Sequence, residues 1–421
     1  MGHILYYTKS VCPDCLRPVT AAVTAEPDGI YIRKTCPGHG ESAALIWADS
    51  EENYLQWLRC GALDAAALPQ SEAEAESLFA GRGFGCPARC QSVSSALMTT
   101  NRCNLDCPVC FTRERGEALC EPSLEECRAL LLRYREKAGQ DALLELCGGE
   151  PTVRGDILDL AAMARDMGFD FIQLNTNGIR LAADAGFCVR LRESGVTTVY
   201  MGFDGVTETP YLAKYGRPML AAKLAAVENA AAAGLAVVLV VCVIPGENDG
   251  QLGDVVSFAK EHMPAVKGVF FQPISYFGIY PKDNIRRITI PDVIRALAAQ
   301  NPELHAADFG PGAYEHPQCS FQSCYLLGKD ALLHPLSKLS QRTRGDGDWH
   351  RLRAAVRTTW LPGERKLLTV GGMAFQDCSN IDLGRTERCS IQIIGRDGAM
   401  YPLCSKYLSG CGGRRALPGI S

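Results

Sequence analysis

The chain has 421 residues, a formal net charge of -4 at pH 7, and a composition that is 47% hydrophobic and 21% charged. This balance is typical of a globular protein with a large buried core, and it offers no basic surface for nucleic acid. The N-terminus lacks the basic segment and apolar run of a signal peptide, and the longest apolar stretch, 230–245, is too short to cross a bilayer. We therefore expect no nucleic-acid partner, no membrane span and a cytoplasmic location.

Cysteine is the most informative residue type, because the chain contains 20 cysteines without a secretion signal. In a reducing compartment, clustered thiols hold metal ions more often than they form disulfides. We therefore interpret the cysteine clusters, in chain order, as candidate metal sites.

Residues 1–60 predict a small metal-binding domain of the zinc-ribbon or rubredoxin-like type. Two strands are expected, over 21–26 and 30–35, joined by the turn signal Pro-Asp-Gly. The candidate ligands flank these strands in two short knuckles: Cys12, Cys15, Cys36 and His39. Four ligands at this spacing would close a tetrahedral zinc or mononuclear iron site, with Cys60 as an alternative to His39. Such a site would be structural or would relay electrons.

Residues 61–92 predict a linker that carries Cys86 and Cys90, and residues 93–310 predict an α/β domain in which strands and helices alternate. The predicted strands cover 94–100, 143–147, 169–176, 197–203, 235–243 and 268–274. The predicted helices cover about 123–138, 156–167, 182–193, 219–233 and 251–262. Right-handed crossovers would curl this parallel sheet into a partial (β/α)6 barrel, with ligands at the carboxyl ends of its strands.

Three cysteines, Cys103, Cys107 and Cys110, follow the first predicted barrel strand with the spacing Cys-x3-Cys-x2-Cys. Three thiolates can hold three corners of a four-iron cluster and leave the fourth iron open to a small molecule, whereas a zinc knuckle needs a fourth protein ligand. The spacing therefore favours a reactive iron-sulfur cluster, with a zinc knuckle as the alternative.

This motif resembles that of the radical S-adenosylmethionine (SAM) superfamily, and CGGEP, 147–151, resembles the glycine-rich turn of the same enzymes. The resemblance implies that a [4Fe-4S] cluster on the three cysteines binds SAM. It also implies that Gly148, Gly149 and Glu150 hold the methionyl amino group, because an ammonium needs acceptors at close range. Phe111 is expected to pack against the adenine.

Two further loops follow predicted strands and contain Asn175, Thr176 and Asp204 in the sequences NTNG and GFDG. The superfamily places ribose, carboxylate and substrate contacts at these loops, so the three residues are candidate contacts of SAM or substrate. Turn formation alone is the alternative, because Asn-Gly and Asp-Gly are common turn dipeptides.

Residues 311–421 predict a cysteine-rich C-terminal domain with one or two auxiliary [4Fe-4S] clusters. The candidate ligands outside the barrel are Cys86, Cys90, Cys319, Cys324, Cys378, Cys389, Cys404 and Cys411. Eight thiolates match two four-iron clusters, and one cluster with several bystander cysteines is the alternative. The first choice for one cluster is Cys86, Cys90, Cys389 and Cys404. The remaining cysteines are interpreted as core residues: Cys120, Cys127, Cys147, Cys188 and Cys242.

Patches along nearly the whole chain, among them CPDC, GCPARCQ and FQDCSNIDLGRTERCS, resemble the branch of tetraether lipid synthases and class D radical SAM methylases. Val93 occupies the third position of that branch's Cys-Pro-x-x-Cys-x-x-Cys run. The resemblance implies cleavage of SAM to a 5′-deoxyadenosyl radical that abstracts hydrogen from an unactivated carbon. Carbon-carbon bond formation on, or methylation of, a lipid or small molecule would follow, with flavodoxin or ferredoxin as the reductant.

Two other functions stay open at this point. The segment 389–404 resembles part of the SPASM extension of peptide-modifying radical SAM enzymes. A non-enzymatic electron carrier with several clusters would also explain the number of cysteines. That second alternative does not explain the glycine-rich turn or the missing fourth ligand at the first cluster.

Overall fold

The computed structural model describes residues 2–80, 92–110, 112, 119–139, 141–276, 286–312, 315–336 and 359–408. The candidate site residues Cys86, Cys90, Phe111 and Cys411 lie outside the described residues. Among the described residues, no helix combines the length and apolar character that a bilayer crossing requires.

The N-terminal domain is a four-stranded antiparallel sheet in which the strands pair in chain order. Its strands are β1 (His3–Val11), β2 (Pro18–Glu26), β3 (Gly29–Cys36) and β4 (Gly40–Trp47). The two predicted strands of this domain are confirmed as β2 and β3, and two more strands flank them. Two helices follow the sheet, α1 (Glu51–Cys60) and α2 (Glu72–Leu78).

Six parallel strands pair in chain order and form the barrel wall. They are β5 (Ser94–Thr100), β6 (Leu143–Gly148), β7 (Ile172–Thr176), β8 (Thr198–Gly202), β9 (Ala236–Val243) and β10 (Val266–Pro273). All six predicted barrel strands are confirmed. The strand β9 is apolar throughout and rich in valine, which is typical of a parallel strand covered on both faces.

Helices cover the outside of this sheet and bury its outward-facing side chains. They are α3 (Leu124–Ala138), α4 (Ile157–Asp166), α5 (Ile179–Ala183), α6 (Ala185–Glu193), α7 (Thr209–Tyr215), α8 (Leu220–Ala232), α9 (Leu252–Glu261) and α10 (Ile290–Gln300). The helix predicted over 182–193 is interrupted at Asp184, which has an extended backbone. Asp184 instead caps α6, because its side chain accepts a hydrogen bond from Phe187 N at 2.9 Å.

Segments after residue 310 extend the barrel sheet at both edges. They form β11 (Ser320–Leu327), β12 (Leu333–Pro335), β13 (Leu367–Met373), α11 (Leu383–Glu387), β14 (Ile391–Ile394), β15 (Met400–Pro402) and α12 (Leu403–Lys406). The strand β13 pairs in parallel with β10, and β14 pairs in parallel with β5. The described C-terminal strands therefore continue the sheet of the barrel.

Candidate active site

The glycine-rich turn after β6 lies directly on the cysteine loop after β5. Gly149 N donates a hydrogen bond to Thr100 O at 2.8 Å, and Glu150 N donates to Arg102 O at 2.8 Å. A Cβ atom would lie 2.2 Å from Thr100 O if it were added to Gly148, and 2.4 Å from Arg102 O if it were added to Gly149. Because both contacts are with backbone atoms, only glycine permits this approach. Two motifs that are far apart in the sequence thus form one loop cluster.

A cavity of about 340 Å³ opens inside the barrel beside this loop cluster. Its walls include seven of the predicted site residues: Cys107, Cys110, Gly148, Gly149, Glu150, Asn175 and Thr176. Cys103 begins the same cysteine loop and is partly exposed. The carboxyl ends of β5, β6 and β7 therefore converge on one cavity, as the parallel sheet requires.

The thiols of the cysteine loop suit a metal cluster. Burial, and then the neighbouring Cys110, raise the pKa of Cys107 to about 12, so this thiol needs a metal to deprotonate at neutral pH. A different group of ligand atoms, in the N-terminal domain of the described structure, lies within 4.8 Å of one another and is described below. Cys107 and Cys110 line the barrel cavity, so a metal cluster bound to these thiols would lie at its edge.

Glu150 is 1% exposed, and its carboxylate is held by the protein itself. Oε1 accepts hydrogen bonds from Thr152 Oγ1 at 2.5 Å and from Thr176 Oγ1 at 2.7 Å. Oε2 accepts a hydrogen bond from Asn177 N at 2.6 Å. Glu150 therefore ties the end of β6 to the end of β7 and fixes the shape of the cavity wall. Its contact with the methionyl ammonium stays a prediction.

Asp204 is 1% exposed and lies behind the cavity wall. Its carboxylate accepts hydrogen bonds from Lys214 Nζ and Tyr215 OH, both at 2.7 Å, and from Cys242 N at 2.9 Å. Lys214, Tyr215 and Cys242 all line the cavity. The structure thus gives Asp204 the role of positioning these three residues, and its direct contact with SAM or substrate stays a prediction.

The N-terminal site has the donor set and spacing of a tetrahedral zinc centre. The ligand atoms that lie within 4.8 Å of one another belong to Cys12, Cys15, Cys36 and His39. The backbone N–H and then the guanidinium of Arg17 lower the pKa of Cys15 to about 6, which favours the thiolate that zinc requires. Cys60 is exposed at the end of α1 and is not part of this group. The geometry therefore favours His39 over Cys60 as the fourth ligand.

A second, smaller cavity gathers three of the C-terminal cysteines, Cys319, Cys389 and Cys404. Arg385 Nη2 donates a hydrogen bond to Cys319 Sγ at 3.1 Å, and Arg385 Nε is buried without a partner among the described residues. A buried guanidinium with an unused donor fits an anionic cluster on these thiolates. Both cavities share several wall residues, namely Glu315, Met373, Phe375, Ile391 and Leu403.

Two other predicted auxiliary ligands lie apart from this cavity. Cys324 lies within β11, whereas Cys319 is in the turn before that strand. Cys319 lines the smaller cavity, and Cys324 is not among its wall residues. Cys378 is 1% exposed and packs in a separate apolar cluster with Val11 and Leu408.

Sequence reasoning missed several residues of the barrel cavity. Lys214 and Tyr215 belong to the short helix α7, for which the sequence analysis made no prediction. Glu145 and Gln173 also line the cavity. A signal for Glu145 existed, because it is the lone charged residue in the apolar strand LLELC. Cys147 was interpreted as a core residue, and it lies in the cavity wall.

Comparisons with known proteins agree with this geometry. Residues 4–48 match the profile of the HMPTM N-terminal zinc ribbon domain, and residues 97–259 match that of the radical SAM superfamily. A 7,8-dihydro-6-hydroxymethylpterin dimethyltransferase of Methanocaldococcus jannaschii is 34% identical over 319 residues, which cover 72% of this chain and 60% of that protein. A GTP 3′,8-cyclase of Paenarthrobacter nicotinovorans is 28% identical over 239 residues, which cover 55% of this chain and 66% of that protein.

Among solved structures, Streptococcus suis SuiB aligns with a TM-score of 0.42 and 13% identity, over 69% of this chain and 68% of that chain. The chain spans about 60% of the length of the methyltransferase that it matches. The family profiles coincide with the two sites described above, the Cys3His group and the cysteine loop with its glycine-rich turn. The chain therefore contains a radical SAM domain, from a superfamily of enzymes, preceded by a zinc ribbon of the HMPTM type.

Proposed function

We propose that this chain binds SAM at a [4Fe-4S] cluster held by Cys103, Cys107 and Cys110 and methylates a reduced pterin. When bound, the cluster would supply the electron that cleaves one SAM to methionine and a 5′-deoxyadenosyl radical able to abstract a hydrogen atom from carbon. A second SAM would donate the methyl group and leave as S-adenosylhomocysteine, with a second electron completing the balance. The observation that carries this proposal is the joining of the cysteine loop to the glycine-rich turn, where Gly149 N and Thr100 O lie 2.8 Å apart at the edge of the cavity.

The residues of the chain would orient SAM and substrate and keep water away from them. Gly148 and Gly149 leave room for a ligand to approach the backbone, and Glu150 holds the turn in place. Asn175 and Thr176 present amide and hydroxyl groups to the same cavity. The interior position of the cavity, below these loops, would exclude water from a reactive radical.

The substrate class is inferred from the relative and from the cavity together. The relative from Methanocaldococcus jannaschii is named for methylation of a 7,8-dihydropterin, and the zinc ribbon profile also matches this chain. Aromatic side chains of Tyr200, Phe270 and Trp360 line the barrel cavity. Flat rings of this kind suit a planar heterocycle better than an extended lipid chain.

An auxiliary cluster at Cys319, Cys389 and Cys404 is also part of the proposal. Its support is the shared wall between the two cavities and the buried Arg385 beside Cys319. A cluster in a cavity that shares a wall with the barrel cavity would serve to pass the second electron. Flavodoxin or ferredoxin would supply electrons in a reducing cytoplasm, because the thiolate ligands must stay reduced.

The test is an anaerobic reaction of the reconstituted and chemically reduced protein with SAM, with 5′-deoxyadenosine as the readout. We expect 5′-deoxyadenosine from the native chain, and none from a variant in which Cys103, Cys107 and Cys110 are alanine. Cys60→Ala, at an exposed cysteine outside both sites, is the matched control and should keep the activity. Absence of 5′-deoxyadenosine with a fully loaded protein would contradict radical chemistry and favour an electron carrier.

The substrate is tested separately with 6-hydroxymethyl-7,8-dihydropterin and SAM that carries a deuterated methyl group. We expect a pterin product whose mass includes labelled methyl groups. If 5′-deoxyadenosine forms without any labelled pterin, the radical chemistry stands, and either the pterin substrate or SAM as the methyl donor is wrong.

A further inference from the structure

Glu145 presents a carboxylate to the interior of the barrel. Leu144 and Leu146 alternate with it along β6 and pack in the core beneath the helices, whereas Glu145 and Cys147 line the cavity. Ser94 Oγ donates a hydrogen bond to Glu145 Oε1 at 2.5 Å. The residue is thus held in place on the wall of an interior cavity.

The neighbouring strand completes the polar side of the cavity. Asn175 Nδ2 donates a hydrogen bond to Glu145 Oε2 at 3.2 Å, and Gln173 Nε2 donates to Asn175 Oδ1 at 2.7 Å. Gln173 is directly opposite Glu145 in the pairing of β6 with β7. A chain of two amides therefore fixes the carboxylate and gives it no positive charge.

This carboxylate has acceptor capacity that the described residues leave unused. An ionised carboxylate can accept about four hydrogen bonds, and Ser94 and Asn175 provide two to Glu145. Burial raises the pKa of Glu145, which is the expected result of keeping an acid away from water and from cations. A ligand with two neighbouring N–H groups would supply the missing donors.

Another part of the cavity wall is aromatic. The ring of Trp360 lies 6.2 Å from that of Tyr200 and 6.2 Å from that of Phe270, measured between centroids. Tyr200 and Phe270 lie 6.0 Å apart. All three rings line the same cavity as Glu145. A ligand that bonds to the carboxylate would therefore have a flat body that packs against these rings.

We propose that Glu145 selects the substrate by accepting two hydrogen bonds from the amino group and the adjacent ring N–H of a 2-amino-4-oxopyrimidine, whose ring system packs against Tyr200, Phe270 and Trp360. This inference rests on the proposed function and specifies how that site recognises its substrate. The two relatives are named for a pterin and for GTP, and both of these molecules contain that ring. A lipid chain offers no such donors. Glu145 is therefore a specificity-determining residue of the cavity.

The experiment compares the native chain with Glu145→Gln, in which an amide of the same shape replaces the carboxylate. Binding is measured by anaerobic calorimetry with 6-hydroxymethyl-7,8-dihydropterin and with its analogue that lacks the 2-amino group. We expect Glu145→Gln to bind the pterin roughly ten- to hundredfold more weakly, because a charge-assisted pair of hydrogen bonds is lost. The analogue should bind weakly and about equally to both proteins.

Glu193→Gln is the matched control, because Glu193 is exposed at the end of α6. It should bind the pterin as the native chain does. SAM affinity and 5′-deoxyadenosine formation without substrate should be the same in Glu193→Gln as in the native chain. For Glu145→Gln, an unchanged iron content and an unchanged denaturation midpoint show that the variant is folded and loaded with its cluster.

The outcomes separate this inference from the proposed function. If the native chain and Glu145→Gln bind the pterin equally tightly, the role of Glu145 is wrong and the pterin substrate stands. If the native chain forms 5′-deoxyadenosine but does not bind the pterin, the proposed substrate is wrong and the inference falls with it. If the variant no longer discriminates between the pterin and its analogue, the pterin substrate and the role of Glu145 are both supported.

Discussion

The carboxylate of Asp204 lies 2.7 Å from the ammonium of Lys214 behind the wall of the barrel cavity. The side chain of Asp204 is 1% exposed and that of Lys214 is 15% exposed. Tyr215 OH binds the other oxygen of the same carboxylate at 2.7 Å. A single acid after β8 therefore holds the two polar side chains that α7 sends towards the cavity.

Asp204→Ala should reduce the free energy of unfolding by about 3–5 kcal/mol, because it leaves a largely buried ammonium and a partly buried hydroxyl without their acceptor. Chemical denaturation under anaerobic conditions measures this change. The control is Asp166→Asn, which removes an ion pair with Arg165 in which both side chains are exposed, and should cost less than about 1 kcal/mol. Equal effects of the two substitutions would show that Asp204 does not organise the wall.

Gly149→Ala should destabilise the loop cluster and weaken SAM binding. The added Cβ atom would lie 2.4 Å from Arg102 O, a backbone atom that cannot move without shifting the cysteine loop. Overpacking of this kind costs about 1–3 kcal/mol. Gly155→Ala is the control, since a Cβ atom there would meet nothing within 4 Å. SAM affinity and denaturation midpoints are the measurements, and an unaffected Gly149→Ala protein would contradict the assigned contact.

Iron analysis tests the auxiliary cluster. Cys319→Ala should lose about four iron atoms per chain, because Cys319 shares its cavity with Cys389 and Cys404. Cys324→Ala changes a cysteine further along the same chain segment, outside that cavity, and should keep all the iron. The same iron content in native protein and Cys319→Ala would mean that these cysteines bind no cluster.

The N-terminal domain should bind one zinc ion per chain, and this binding should require Cys36. Cys36→Ala removes one of the four ligands that lie within 4.8 Å of one another, so the zinc should be lost while the iron of the barrel is kept. Cys60→Ala should keep the zinc, because this thiol is outside the group. Metal analysis by mass spectrometry is the measurement, and zinc retained by Cys36→Ala would show that the ligand set is different.

Lys223 should give the stability a pH dependence above neutral pH. It is fully buried and donates a hydrogen bond to Asn177 O at 2.7 Å, and burial lowers its pKa to about 8 from the usual 10.5. The unfolded chain therefore binds more protons than the folded chain between pH 8 and 10.5, so the contribution of Lys223 to stability increases as the pH rises through this window. Below pH 8 the cost of burying its charge is fully present.

Relative to Lys223→Met, the native chain should gain up to about 3 kcal/mol of unfolding free energy between pH 7.5 and 10. The measurement is chemical denaturation of both proteins at several pH values. Lys366→Met, at an exposed lysine, should show no such pH-dependent difference from the native chain. A native-minus-variant difference that is constant with pH would show that Lys223 titrates normally.

Local patterns in the sequence determined the barrel strands and the cysteine loop. Strand β9 is apolar throughout and rich in valine, and the loops after β5, β6 and β7 contain residues that reach the cavity. Both features depend on short segments, since hydrophobic periodicity specifies a strand and a parallel sheet places every strand end at the same edge. The Cys3His group was predictable for the same reason, because each knuckle is a local motif.

The tertiary structure alone decided which distant residues meet. Cys319, Cys389 and Cys404 gather because β14 pairs with β5 while β13 pairs with β10, and nothing in the spacing of these cysteines encodes that pairing. The orientation of Asp204 towards Lys214 likewise depends on α7, a short helix that has little periodicity to detect. The sequence by itself determined the strands and helices of the barrel and the chemistry of their loops. The cavities are formed by contacts between segments far apart in the chain. The free energy of such contacts leaves no pattern in the local sequence.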